Sequence, residues 1–204
     1  MIIECGPAHD IRTLNLELPK TNRIGVMVSG GVDSTLLYYL LQYLKKTQQT
    51  NHFIRPFMVP RKEGSIYFAK PMVNHVHRLL NLPESYPTSM GDNTLPEPKQ
   101  VESGIVQAII IAKIETMYVG AIDTRPEHLL NYDRPITIET NEVKFPLLHL
   151  EKSHVIDLYY RLGIQSILPY THSCDQNETD ECGTCNGCTE RIWGFKELNI
   201  PVIG

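Results

Sequence analysis

No stretch of this 204-residue sequence approaches the ~20 consecutive apolar residues that a membrane-spanning helix requires. The N-terminal "MIIECGPAHDIR" lacks the basic start and long apolar run of an export signal, so a cytoplasmic location without membrane attachment is expected. There is no run of five or more Lys and Arg, and the formal net charge is −4, both of which count against a nucleic-acid partner. Internal repeats and low-complexity tracts are also missing. What remains is ordinary globular material, 42% hydrophobic and 21% charged, enough for one unit with a substantial core and a small appendage. Cysteine is scarce as well, with five in all, but four of them crowd between Cys174 and Cys188 while Cys5 stands alone. In a reducing compartment that clustering argues for a metal rather than for disulfides.

The run "RIGVMVS", Arg23 to Ser29, is short, apolar and β-branched, and it ends in two glycines, as a buried parallel strand does. "DSTLLYYLLQYLKK" follows with apolar side chains all round for more than three helical turns. A second strand is expected at 52–60 and a second helix at 70–82, ending before Pro83. From Pro83 to Pro98 the composition turns to Pro, Ser, Gly, Asn and Thr, an irregular surface segment. A further helix should run into a strand near Tyr118, with a turn at Gly120. "EKSHVIDLYYRLGI" reads as an amphipathic helix ended by Gly163. This alternation predicts an α/β fold with a parallel twisted sheet and helices on both faces. The expected division is 1–168 for a nucleotide-binding α/β domain and 169–204 for a metal-bound lobe packed on it.

In "VMVSGGVDST" the two glycines let the backbone approach an anion closely, and the N–H groups of the following helix point back at it. Ser29 and Ser34 add hydroxyl donors. A Walker loop would also supply a lysine, and none is present here. Instead Asp33 stands among the phosphate donors, where an acid is unfavourable unless it holds a metal ion or organises the loop. A bare Gly-Gly turn with a capping Asp or Ser would need no nucleotide. The ordered string Ser, Gly, Gly, Asp, Ser between strand and helix is more specific, and it resembles the PP-loop of the N-type ATP pyrophosphatases.

That resemblance implies chemistry at the α-phosphate: a carbonyl or carboxylate oxygen is adenylated, pyrophosphate leaves, and a nucleophile then displaces AMP. It implies ATP contacts from Val28, Ser29, Gly30, Gly31, Val32, Asp33, Ser34 and Thr35, with Val59 and Gly120 at the same sheet edge, and magnesium held through Asp33.

"SCDQNETDECGTCNGC" places Cys174, Cys182, Cys185 and Cys188 in a C-x7-C-x2-C-x2-C pattern. Four thiolates at such spacing suit one tetrahedral, closed and therefore structural Zn2+ per chain. The C-x2-C-x2-C run also occurs in iron–sulfur proteins, but here the fourth ligand lies upstream and no Cys-Pro follows.

Taken together, the PP-loop and the string through Ser173, Cys174, Cys182, Gly183, Cys185, Cys188, Arg191 and Phe195 resemble the 7-cyano-7-deazaguanine synthase family. "PLLHLEKSHVIDLYYRLGI" is similar to that family's Pro-Leu, Lys and Leu-Gly pattern. The likeness implies an ATP-dependent carbon–nitrogen ligase. It would adenylate 7-carboxy-7-deazaguanine and use ammonia to form first the amide and then the nitrile. It also implies a catalytic role for Lys152 beside Asp33, and it allows a homodimer. Arg191 is expected either to bind substrate or to brace the metal loop. Asp123, after the strand that ends near Gly120, is a substrate candidate by its place at the sheet edge. "VPRKEGS" and "PKQVESG" depart from the family's Gly-Gln-Arg and Gly-Arg-Asn strings, so 60–66 and 98–104 are where an altered acceptor would be written. The alternatives are a divergent amide-forming or macromolecule-modifying relative and a tRNA-thiolating enzyme that shares the loop.

Overall fold

The computed structural model describes residues 1–60, 65–95, 97–123, 140, 142–177 and 179–203. Strands β1 (Ile2–Cys5) and β2 (Arg12–Asn15) form an antiparallel hairpin. A second sheet holds β3 (Arg23–Met27), β4 (Phe53–Met58), β5 (Thr88–Ser89), β6 (Thr116–Val119) and β7 (Val143–Lys144), all parallel, in the order β5-β4-β3-β6-β7. The helices are α1 (Val32–Thr47), α2 (Ser65–Leu79), α3 (Glu97–Ile110), α4 (Lys152–Arg161) and α5 (Asn186–Glu197), with a 3-10 helix at Gln165–Tyr170.

The central strand β3 explains the layers. Ile24, Val26 and Val28 join the larger core with α1, α2 and α4, whereas Met27 joins a second cluster with Phe57, Ala108, Ile114 and Met117 on the α3 side. Alternate residues thus bury both faces of one strand, which is why its sequence reads as a continuous apolar run. The strand order reverses on either side of β3, first outward to β4 and β5 and then back to β6 and β7. Open α/β sheets bind ligands at the carboxyl ends of the strands flanking such a reversal. The glycine loop leaves β3 at that point.

β4 tolerates Pro56 because of its register. The Phe57 carbonyl accepts from Val28 on the β3 side while Met58 faces β5, so Pro56 also faces the β5 side, where pairing reaches only Phe57 and Met58. The missing N–H costs no ladder bond. α4 ends as expected, with Gly163 in the left-handed region at φ +68. α2 begins at Ser65, ahead of the expected start, and carries Pro71 inside it. Phe195 of α5, in the 169–204 tail, is fully buried in the larger cluster. Among the described residues no helix is long and apolar enough to cross a membrane.

Candidate active site and metal centre

The loop between β3 and α1 is held open by its neighbours. Gly30 sits at φ +89, and a Cβ there would lie 2.5 Å from Phe68 Cβ, so no other residue fits. Gly31 is the residue before the first helical turn, and the first intrahelical bond runs from Thr35 N–H to the Gly31 carbonyl. The N–H groups of Val32, Asp33 and Ser34 therefore precede the helical ladder, which is the arrangement that binds phosphate. Ser34 Oγ accepts from the Ser29 N–H (3.1 Å) and lies 3.0 Å from Ser29 Oγ, tying the two ends of the turn together.

Three outside elements fix this loop. Gly120, just past β6, lies so close that a Cβ would come within 2.9 Å of Ser34 Cα and N. The His172 N–H donates to the Gly30 carbonyl (3.1 Å), and the His172 ring stacks on Phe68 at 4.1 Å between centroids. Tyr159 of α4 donates its hydroxyl to the Val32 carbonyl (2.6 Å). Phe68, His172 and Tyr159 have no signal in the sequence, because each reaches the loop only through tertiary packing.

The lysine that the loop lacks arrives from α4. Lys152, the first helical residue, donates to both carboxylate oxygens of Asp33 (2.6 and 2.8 Å) across 119 residues of sequence, and its Nζ lies 3.2 Å from Glu190 Oε2. α4 is turned to present it by a capping box in which the Glu151 side chain accepts from the His154 N–H while His154 Nδ1 accepts from the Glu151 N–H. Burial alone would lower the Lys152 pKa, but the pull of Asp33 and Glu190 outweighs it, so the ammonium is held raised and charged. Burial pushes the Asp33 carboxyl up, and Lys152 opposes that rise. Glu190, between Cys188 and Arg191, belongs to no motif that the sequence shows, because it reaches Lys152 only through the packing of α5 on α4.

The remaining expected residues divide. Val59 is buried against Gly91 and Gly104, with its main chain at the carboxyl end of β4, beside the loop. Asp123 follows β6 at the same edge and donates its N–H to the Leu150 carbonyl (2.6 Å). Residues 124–139 lie outside the described residues, as do 61–64 of the divergent 60–66 stretch. Arg191 is 2% exposed, and its guanidinium donates to the carbonyls of Leu168, Thr171 and Ile203 and to the hydroxyls of Thr171 and Ser173. That is the geometry of a brace for the tail, with the guanidinium turned to main chain rather than presented to a ligand.

The four tail cysteines converge. Their sulfurs all lie within 4.8 Å of one another, with Cys182 to Cys188 and Cys174 to Cys185 each at 3.9 Å. Backbone N–H groups of Asp175, Asn177, Thr184 and Cys185 point at these sulfurs, as they do where thiolates bind a cation. The hydroxyl and N–H of Thr184, with the Cys185 N–H, bring Cys182 down to about 6. The cluster could hold one metal ion. A second grouping, Asp10, Glu151 and His154, is already crossed by Arg12, which donates to both carboxylates.

Comparison with known proteins agrees with this geometry. The family model described as queuosine biosynthesis protein QueC matches residues 101–199. The 7-cyano-7-deazaguanine synthase 2 of Desulfitobacterium hafniense (strain Y51) is 25% identical over 86% of this chain and 89% of its own. That of Frankia casuarinae is 34% identical over 46% of this chain and 44% of its own. Among solved structures, the NMN synthetase of Francisella tularensis superposes with a TM-score of 0.51 at 17% identity, covering 90% of this chain and 79% of that one. The U34-tRNA thiolase NcsA of Methanococcus maripaludis, with its [4Fe-4S] cluster, gives 0.50 at 16% identity, covering 91% and 70%. Those two likenesses concern the fold. By sequence the chain is similar to 7-cyano-7-deazaguanine synthases over most of its length, and to the queuosine biosynthesis family model over its C-terminal half.

Proposed function

We propose that the chain is an ATP-dependent carbon–nitrogen ligase of the 7-cyano-7-deazaguanine synthase type. Its relatives are named synthases, which indicates an enzyme, and the reaction assigned to it is the one their names describe. Adenylation of the carboxylate of 7-carboxy-7-deazaguanine releases pyrophosphate, and ammonia then displaces AMP to give the amide. A second ATP activates the amide oxygen, and its departure as AMP leaves the nitrile. The observation that carries this reading is the buried Lys152–Asp33 pair at the loop.

In this mechanism the N–H groups at the start of α1 donate to phosphate oxygens, and Gly30 and Gly31 keep the loop open to them. Lys152 supplies a fixed positive charge where negative charge grows as the α-phosphate is attacked. Asp33 would hold magnesium, which when bound would neutralise the departing pyrophosphate. The four cysteines suit a single structural zinc. Zn–S bonds of about 2.3 Å put neighbouring sulfurs of a tetrahedral site about 3.8 Å apart, close to the observed 3.9 Å. A four-iron cluster caps separate irons and needs wider spacing, which weakens the tRNA-thiolating alternative.

The test is mass spectrometry of the product formed from 7-carboxy-7-deazaguanine, ammonia and magnesium–ATP. Nitrile with about two AMP per product, the stoichiometry of two activations, is the expected result. No AMP above background sinks the assignment. Amide as the end product would keep the first activation, abandon the second, and mark the chain as a divergent amide-forming relative. Metal analysis of a colourless preparation should give one zinc per chain, and light scattering should show a homodimer.

A further inference from the structure

Lys152 is shared between two carboxylates, and the sharing is unequal. Asp33 takes the ammonium on both of its oxygens, whereas Glu190 offers only Oε2, at 3.2 Å. The other oxygen, Glu190 Oε1, is buried and has no hydrogen-bond partner among the described residues. Glu190 as a whole is only 7% exposed. A bare buried acceptor of this kind is destabilising, more so when charged, so its place in the fold calls for an explanation.

The surroundings narrow that explanation. Side-chain exposure falls from 20% at Asp33 to 10% at Glu190 and 5% at Lys152, so the cluster opens to a ligand at Asp33 and is closed behind it. α5 lies against α4 so closely that a Cβ on Gly194 would sit 2.9 Å from Lys152 Cγ. The lysine stem is thereby pinned, and only its outer carbons can swing between the two acids. A divalent cation on Asp33 would compete with Lys152 for the two oxygens that now hold the ammonium. When Asp33 turns to the cation, the ammonium needs another anion within reach, and Glu190 Oε1 is there without a partner.

We propose that Glu190 is a positioning residue for Lys152: it takes over the ammonium when Asp33 turns to the magnesium of bound nucleotide, and so keeps the lysine charged at the loop. This rests on the nucleotide-binding part of the reading above and is independent of which acceptor is adenylated. The bare oxygen is then the acceptor of the lysine's second position.

The experiment uses the full chain, α,β-methylene-ATP as a nucleotide that cannot be cleaved at the α-phosphate, and calorimetry across a magnesium series. In Glu190→Gln the magnesium needed for half-maximal nucleotide binding should rise about tenfold, because the cation must draw Asp33 from a lysine that has lost its second carboxylate. Glu190→Asp, which keeps the charge with a shorter reach, should fall between that variant and the wild type. A purely structural Glu190 would lower the melting temperature and leave the magnesium requirement alone, and that result overturns the proposal. A crystal structure of the wild-type chain with magnesium and the same nucleotide needs no variant to fold. Lys152 Nζ on Glu190 Oε1 supports the proposal, and a lysine still on both Asp33 oxygens overturns it. If the wild-type chain binds this nucleotide but makes no deazapurine product, the assigned reaction falls while the magnesium comparison still decides Glu190. If it binds no nucleotide, both fall.

Discussion

Lys152 is held by two acids in a pocket that water barely reaches, so removing its charge has two separable effects. Lys152→Met keeps the stem packed against Gly194 but leaves Asp33 and Glu190 facing each other uncompensated, which should cost about 3 kcal/mol in urea denaturation. The same change removes the fixed charge at the α-phosphate, and AMP release should fall about 100-fold or more. Lys152→Arg restores the charge with a different shape; it should recover most of the stability and little of the rate, because a planar fork cannot occupy the position of a compact ammonium. Equal recovery of both would mean that the charge alone suffices. Cys5 poses a simpler question. Burial, helped by Asp157, raises its thiol from 9.0 to about 12, so at pH 8 its thiolate is far scarcer in the folded chain than after unfolding, where roughly a tenth of it is ionised. In the native protein it should resist a disulfide reagent that labels it readily in urea. Its contribution to stability is present below pH 9 and is lost as the pH rises above that, since only the unfolded chain then releases the proton freely.

At the scale of elements, the β3–loop–α1 unit was readable because everything that makes it is local: an apolar run, two glycines and a long helical stripe. The β1–β2 hairpin was not, because four-residue strands with mostly exposed faces carry little periodicity, and the hairpin is fixed by distant partners such as the Asp157 carboxylate on the Gly6 N–H. β7 is two residues long and joins the sheet by pairing with Met117 and Tyr118, which no local pattern announces. The loop itself yields a sharp prediction. Gly30→Ala drives a methyl group into Phe68 at a left-handed φ, which should cost about 1–3 kcal/mol and abolish nucleotide binding in calorimetry. Phe68→Ala in the same background keeps the clashing atoms, Phe68 Cβ and the main chain of Phe68 and Ala69, and leaves the backbone strain, so it should restore little of the stability. A Gly30→Ala chain that binds nucleotide normally would show that the loop has freedom its packing does not suggest.

For the whole molecule, the two strings that carry chemistry were legible and their connection was not. The cysteine spacing and the glycine loop are short motifs, whereas the contact between them runs through residues with ordinary local roles: His172 two residues before Cys174, and Glu190 two residues after Cys188. The tail crosses the loop at one end, where the His172 N–H holds Gly30, and re-enters at the other, where α5 starts at Asn186 and carries Glu190 to Lys152. The cysteine cluster lies between these two contacts. A metal bound there fixes both ends at once, so its removal should be felt at the loop as well as in the tail. Chelation at neutral pH is expected to lower the melting temperature, to speed amide exchange in 171–191 and also at Gly30 and Asp33, and to weaken α,β-methylene-ATP binding, all reversed by added zinc. If exchange rises in the tail while the loop and nucleotide affinity stay as before, the cysteines staple only the tail, and the loop owes its shape to Phe68, Gly120 and Tyr159 alone.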